Sequence, residues 1–127
     1  MDKVEIFMET AYERLESAEI LLKNGFYKDS VNRSYFAMVS AAQAALTIRK
    51  IEAKTHRGLH SQFHNEFLRT HILERDFGRM FDVTEEMRIK FDYNPEPEAS
   101  EELAEDSLHQ AEKFVEEIRR HIEKVRS

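Results

Sequence analysis

Three histidines, His56, His60 and His64, stand four residues apart, so a helix through them carries all three on one face. Imidazoles at that spacing can chelate zinc or another divalent metal. The protease form of the motif has a glutamate directly after the first histidine, whereas Arg57 and Ser61 follow His56 and His60 here. Leu59, Phe63 and Phe67 fall on the opposite side, so the spacing alone predicts a solvated polar face. A di-metal carboxylate centre needs Glu-x-x-His pairs on facing helices. No histidine of this chain has a glutamate three residues before it, and Asp106 before His109 is a single near match. No metal and no cofactor are expected.

Two further groups carry polar chemistry. Asn32-Arg33-Ser34-Tyr35 interrupts an apolar stretch. On residue chemistry it reads as a snorkelling arginine beside a core tyrosine whose hydroxyl reaches outward. In Arg88-Ile89-Lys90-Phe91-Asp92-Tyr93, Arg88 and Asp92 are one helical turn apart and suit an i,i+4 ion pair. Tyr93 stands just before a break, where an aromatic is ordinary.

These groups have to be positioned by helices. The chain has 127 residues with three glycines and two prolines, against about nine and about six from average usage, and a turn-rich fold needs more of both. Hydrophobic residues are 41% and charged residues 35%, which suits one globular core. Cysteine is absent, which excludes disulfides, thiolate metal sites and cysteine nucleophiles. The start, Met1-Asp2-Lys3-Val4-Glu5, is charged where a signal peptide is apolar. No run approaches the roughly 20 apolar residues of a membrane span, so the expected location is the cytoplasm, with no membrane contact. Net charge is −6, but unevenly spread: residues 95–127 hold ten acids and five bases, residues 49–90 nine bases and seven acids plus four of the six histidines. An acidic total argues against indiscriminate nucleic-acid binding while leaving room for a local basic cleft in the middle third.

Val4, Phe7, Ala11, Leu15, Ala18 and Leu22 define a helix near 3–23, stopped by Asn24-Gly25. A second helix runs from Lys28 to about Lys50, with Val31, Tyr35, Met38, Ala42, Ala45 and Ile48 on its stripe and Ala37, Ala41 and Ala44 offering a close-approach surface. A short third helix carries Leu59, Phe63 and Phe67. A fourth carries Phe77, Met80 or Phe81, Thr84, Met87 and Phe91, and Pro95-Glu96-Pro97 ends it. Ser100 is the expected N-cap of the last helix, whose stripe runs Ala104, Leu108, Ala111, Val115, Ile118, Ile122 and Val125, with Leu103 and Phe114 widening it. The reading is all-α: an up-and-down four-helix bundle with one additional short helix, forming a single domain over 1–127.

Several segments occur together in a recognisable order: Ala11-Tyr12-Glu13-Arg14-Leu15 with Ala18 and Leu21-Leu22; Gly25-Phe26-Tyr27; Val31-Asn32-Arg33-Ser34-Tyr35-Phe36-Ala37-Met38; Lys54-Thr55-His56-Arg57-Gly58; Arg88 with Asp92-Tyr93; and Ala111 through Val115. In this combination the chain resembles the HEPN domain family, and in particular small stand-alone prokaryotic members often encoded beside a nucleotidyltransferase-like partner. The resemblance implies a helical bundle that homodimerises, and in many members metal-independent RNA cleavage by an arginine followed after four to six residues by a histidine. Here Arg88 matches the arginine, but the residue five positions later is Tyr93. Tyrosine, with a pKa near 10, is a poor base at neutral pH, so His56 is the alternative proton carrier. The resemblance also implies toxin–antitoxin pairing, in which a nucleotidyltransferase antitoxin modifies a tyrosine near the motif. Tyr93 is the nearest equivalent, at a spacing two residues shorter than that pattern.

The leading expectation is a HEPN-like nucleotide- or RNA-associated protein of such a two-component system, binding or regulatory in role. Its dimer cleft would gather Arg33, Tyr35, Lys54, His56, Arg57, Arg88, Asp92 and Tyr93. In the enzymatic alternative Arg88 holds the scissile phosphate and His56 or Tyr93 moves the proton. In the remaining alternative the bundle is a non-catalytic interaction module and the polar set is incidental.

Overall fold

The computed structural model describes residues 1–95 and 97–127. Five helices follow in order: α1 (Lys3–Lys23), α2 (Tyr27–Ile48), α3 (His56–Phe63), α4 (Arg75–Tyr93) and α5 (Glu101–Arg126), with a single π-helical turn, His64–Leu68, continuing α3. No strand occurs among the described residues.

Local chemistry explains where each helix begins and ends. The Asp2 side chain accepts from Glu5 N at 2.9 Å, Thr55 from Gly58 N at 2.9 Å, and the expected cap Ser100 from Leu103 N at 3.0 Å, each satisfying an otherwise orphaned first-turn donor. Gly25 takes φ 81° after α1, the left-handed conformation that glycine adopts without penalty. α2 stops at Ile48, two residues before the expected end, because Lys50 turns left-handed at φ 61°. α4 ends at Tyr93. Glu96, the middle residue of the expected Pro95–Pro97 stop, lies outside the described residues.

α1 and α2 form an antiparallel hairpin. Ser30 Oγ donates to the Ala18 carbonyl at 2.8 Å, and Arg14 Nη1 reaches the Phe36 carbonyl at 3.1 Å and Ser40 Oγ at 2.7 Å. α5 packs on both helices, and Arg126 pairs with Asp2 at 2.9 Å where its end meets the start of α1. α4 lies against α2 and α5, and α3 with its π turn covers the remaining side of α2. Ala37, Ala41, Ala42, Ala44 and Ala45 are fully buried, so the small-residue face of α2 does bring its neighbours close. The heart of the core is aromatic: Phe81 lies 5.7 Å from Phe63 and 5.2 Å from Phe114, and Phe63 lies 5.3 Å from Phe67. Apolar rings at these separations combine area burial with favourable edge and offset contacts. A smaller cluster of Val31, Phe91, Ala99 and Ala104 closes the other end. The expected stripes hold, with Met8, Val39 and Leu46 joining the core beside them and Val125 exposed at the end of α5.

Candidate functional site

Tyr35 is fully buried in the middle of α2, yet its hydroxyl is the hub of a polar network. It donates to Glu85 Oε2 at 2.9 Å and lies 3.1 Å from His56 Nδ1 and 3.0 Å from His60 Nε2. His60 Nε2 also stands 2.8 Å from Glu85 Oε2, and His60 Nδ1 stands 3.1 Å from Asp82 Oδ1. The other Asp82 oxygen lies 3.0 Å from His64 Nε2. The expected solvated face holds for His56, which is exposed, and in part for the half-exposed His64, but not for His60. His60 is buried, with its ring stacked 3.8 Å from Phe81, and two acids from α4 face His60 and His64. Periodicity places the histidines together but is silent about what the facing helix presents.

Burial pushes the Tyr35 phenol well above its ordinary value of 10, and the Glu85 carboxylate that accepts its proton adds to the shift. The Arg88 charge pulls the other way without overcoming them. Tyr35 is thus a neutral donor at physiological pH. With its hydroxyl hydrogen directed to Glu85, its oxygen is left to accept from the histidines. In a neutral His56 that donates through Nδ1, the lone pair is on Nε2, and Nε2 has no protein partner among the described residues.

Arg88 closes the other side. Its guanidinium lies 5.1 Å from the Tyr35 ring centroid and 5.5 Å from that of Phe36, within cation–π range. The expected pair with Asp92 is present, Nη1 to Oδ2 at 3.1 Å, while the buried Nε has no partner. The Phe36 ring also receives Arg14 at 5.8 Å and the edge of His56 at 5.7 Å. Burial chiefly lowers the pKa of Arg14, and the neighbouring charge of Arg33 lowers it further. Two arginines and an imidazole thus meet at the Phe36 ring on α2.

Of the residues singled out by sequence, Tyr35, His56, Arg88 and Asp92 converge. Arg33 joins through Arg14 at the margin. Lys54 and Arg57 are exposed beside His56 at the start of α3, without a hydrogen bond or ion pair among the described residues. Tyr93 is 80% exposed at the end of α4 and takes no part in the network. Arg14, His60, Asp82 and Glu85 were missed as site residues. For the acids a partial signal existed: 82, 85, 88 and 92 recur at steps of three and four along one flank of the apolar stripe of α4. No group of three or more His, Asp or Glu among the described residues is arranged to hold a metal ion, and no helix among them is long and apolar enough to cross a membrane.

A family model for the HEPN domain matches residues 4–121. A protein of Methanocaldococcus jannaschii named "Putative toxin MJ0605" is 31% identical over 124 residues, which cover 98% of this chain and 92% of that protein. UPF0332 proteins of Thermotoga maritima and Archaeoglobus fulgidus are each 30% identical. The first aligns over 97% of this chain and 93% of its own length, the second over 99% and 100%.

Proposed function

Because the chain belongs to the HEPN domain family, we propose that it is a toxin-type HEPN protein. It acts in the cytoplasm as a homodimer, is controlled by a nucleotidyltransferase-type partner, and uses the cleft around Tyr35 to bind the phosphate of a nucleotide or RNA strand. The observation that carries this is Arg88: a guanidinium within cation–π range of both Tyr35 and Phe36, anchored at one nitrogen by Asp92 and with its buried Nε unpaired. A planar donor fork fixed in that way suits a phosphate, and Arg14, Arg33, Lys54 and Arg57 supply further positive charge around it. Calorimetry of the purified protein with ATP and with a short single-stranded RNA tests this. Binding that is lost in Arg88→Ala and retained in a variant of the remote Arg120 is the expected result. Equal affinities in wild type and Arg88→Ala would leave only a bundle for protein contacts.

A second reading, metal-independent RNA cleavage, is favoured by the Glu85–Tyr35–His56 relay, which orients an imidazole whose Nε2 is free to take a proton beside Arg88. In chelator, RNA cutting that vanishes in both Arg88→Ala and His56→Ala supports it. The exposed Tyr93 hydroxyl is the proposed target of the partner, and a mass increase on the peptide carrying Tyr93 after co-expression is the expected sign.

A further inference from the structure

A second basic feature lies beyond the Tyr35 network. Between the π turn and the first half of α4 runs a groove of about 560 Å³ lined by His64, Arg69, His71, Arg75, Arg79 and Asp82. The chain builds it in three steps. The π turn carries His64 and Leu68, His71 takes the left-handed conformation at φ 60° and reverses the chain, and α4 then returns alongside. Gly78 permits the close return, since a Cβ there would lie 2.2 Å from Leu68 Cδ1 and 3.0 Å from His64 Cε1. Arg69, Arg75 and Arg79 are all exposed, and none is ion-paired among the described residues. In a protein of net charge −6, three unpaired arginines on one groove are a local reversal of sign. Leu68 and Val83 supply apolar lining beside them.

We infer that this groove binds a single-stranded phosphodiester chain and leads it to the Tyr35–Arg88 cleft, an extension that rests on the reading of that cleft as a phosphate site. Continuity favours a strand over an acidic peptide. Asp82 lines the groove and at the same time holds His64 and His60, and His60 reaches the Tyr35 hydroxyl. The groove and the cleft are therefore separated by only a few hydrogen-bonded side chains. Guanidinium forks match successive phosphates, and the apolar lining accepts sugar and base surface.

The test is fluorescence anisotropy with a labelled single-stranded RNA oligonucleotide, alongside calorimetry with ATP, on wild type and on the triple variant Arg69→Ala, Arg75→Ala, Arg79→Ala. The variant's fold is checked by its thermal melt. The groove predicts about a tenfold or greater loss of oligonucleotide affinity in the variant at low salt. It also predicts a dependence of log affinity on log salt flattened by about 2, at about 0.7 per phosphate contact, and unchanged ATP binding. Unchanged oligonucleotide affinity and salt slope in a folded variant overturn the inference. So does polyglutamate binding in place of RNA, which would assign the groove to an acidic protein partner. If RNA binds through the groove while ATP binding is absent from wild type, the cleft reading falls and the groove stands.

Discussion

Tyr35 illustrates how a single hydroxyl organises a polar interior. Two histidines and a carboxylate meet at one oxygen, so Tyr35→Phe strands several polar groups at once. About 1–3 kcal/mol of stability should disappear, read from urea unfolding, and any cleavage that depends on His56 should fall with it. The raised phenol also has a pH signature. The folded state keeps the proton that the unfolded chain releases near pH 10, so this contribution is complete below pH 10 and is lost as pH rises beyond it. Midpoints collected on both sides of that value should fall in wild type more steeply than in Tyr35→Phe. His121 acts at the other end. Burial, reinforced by the Arg49 and Lys124 charges, lowers its pKa from 6.5. Its contribution is therefore whole above about pH 6.5 and decays on acidification, as the unfolded chain takes up a proton that the folded chain resists. His121→Gln should flatten the acid side of the stability profile, and an unchanged slope would refute this assignment.

At the scale of helices, two substitutions probe the devices that hold the site. Ser100→Ala removes the α5 cap and should cost about 1 kcal/mol without touching RNA or nucleotide binding. Gly78→Ala drives a methyl into Leu68 and should cost about 1–3 kcal/mol through overpacking. It should also disturb the groove in proportion, because Leu68 and His64 belong to both. The helices themselves were legible: the stripes, Asn24-Gly25 and Ser100 predict both ends of α1 and the start of α5 where the structure has them, since each depends on residues near in sequence. The π turn was not legible. It adds one residue to a helix whose apolar spacing, Leu59, Phe63 and Phe67, continues undisturbed, and its partner is the Gly78 notch on another helix.

For the molecule as a whole, the acidic total and the basic middle third resolve into two arginine-bearing surfaces, one around Phe36 and one between the π turn and α4. Tyr35, His56, Arg88 and Asp92 could be named from sequence because the resemblance to HEPN proteins singles them out. Asp82 and Glu85 share a flank of α4 with Arg88, but their role, like that of Arg14, exists only once α1 and α4 have packed on either side of α2. Sedimentation of the purified chain should show a dimer at micromolar concentration, and a strict monomer there would confine the chemistry to one copy.

α4 bears Asp82, Glu85, Arg88 and Asp92 on a single unbroken rod, so these four groups share one mechanical degree of freedom. A slide or twist of that rod detunes all of them together. Ile89 and Tyr93 lie exposed on the same rod, outside the network, and give a binder a handle on it. On the reading proposed for the cleft, a partner docked there would act by leverage, with the cleft itself left open.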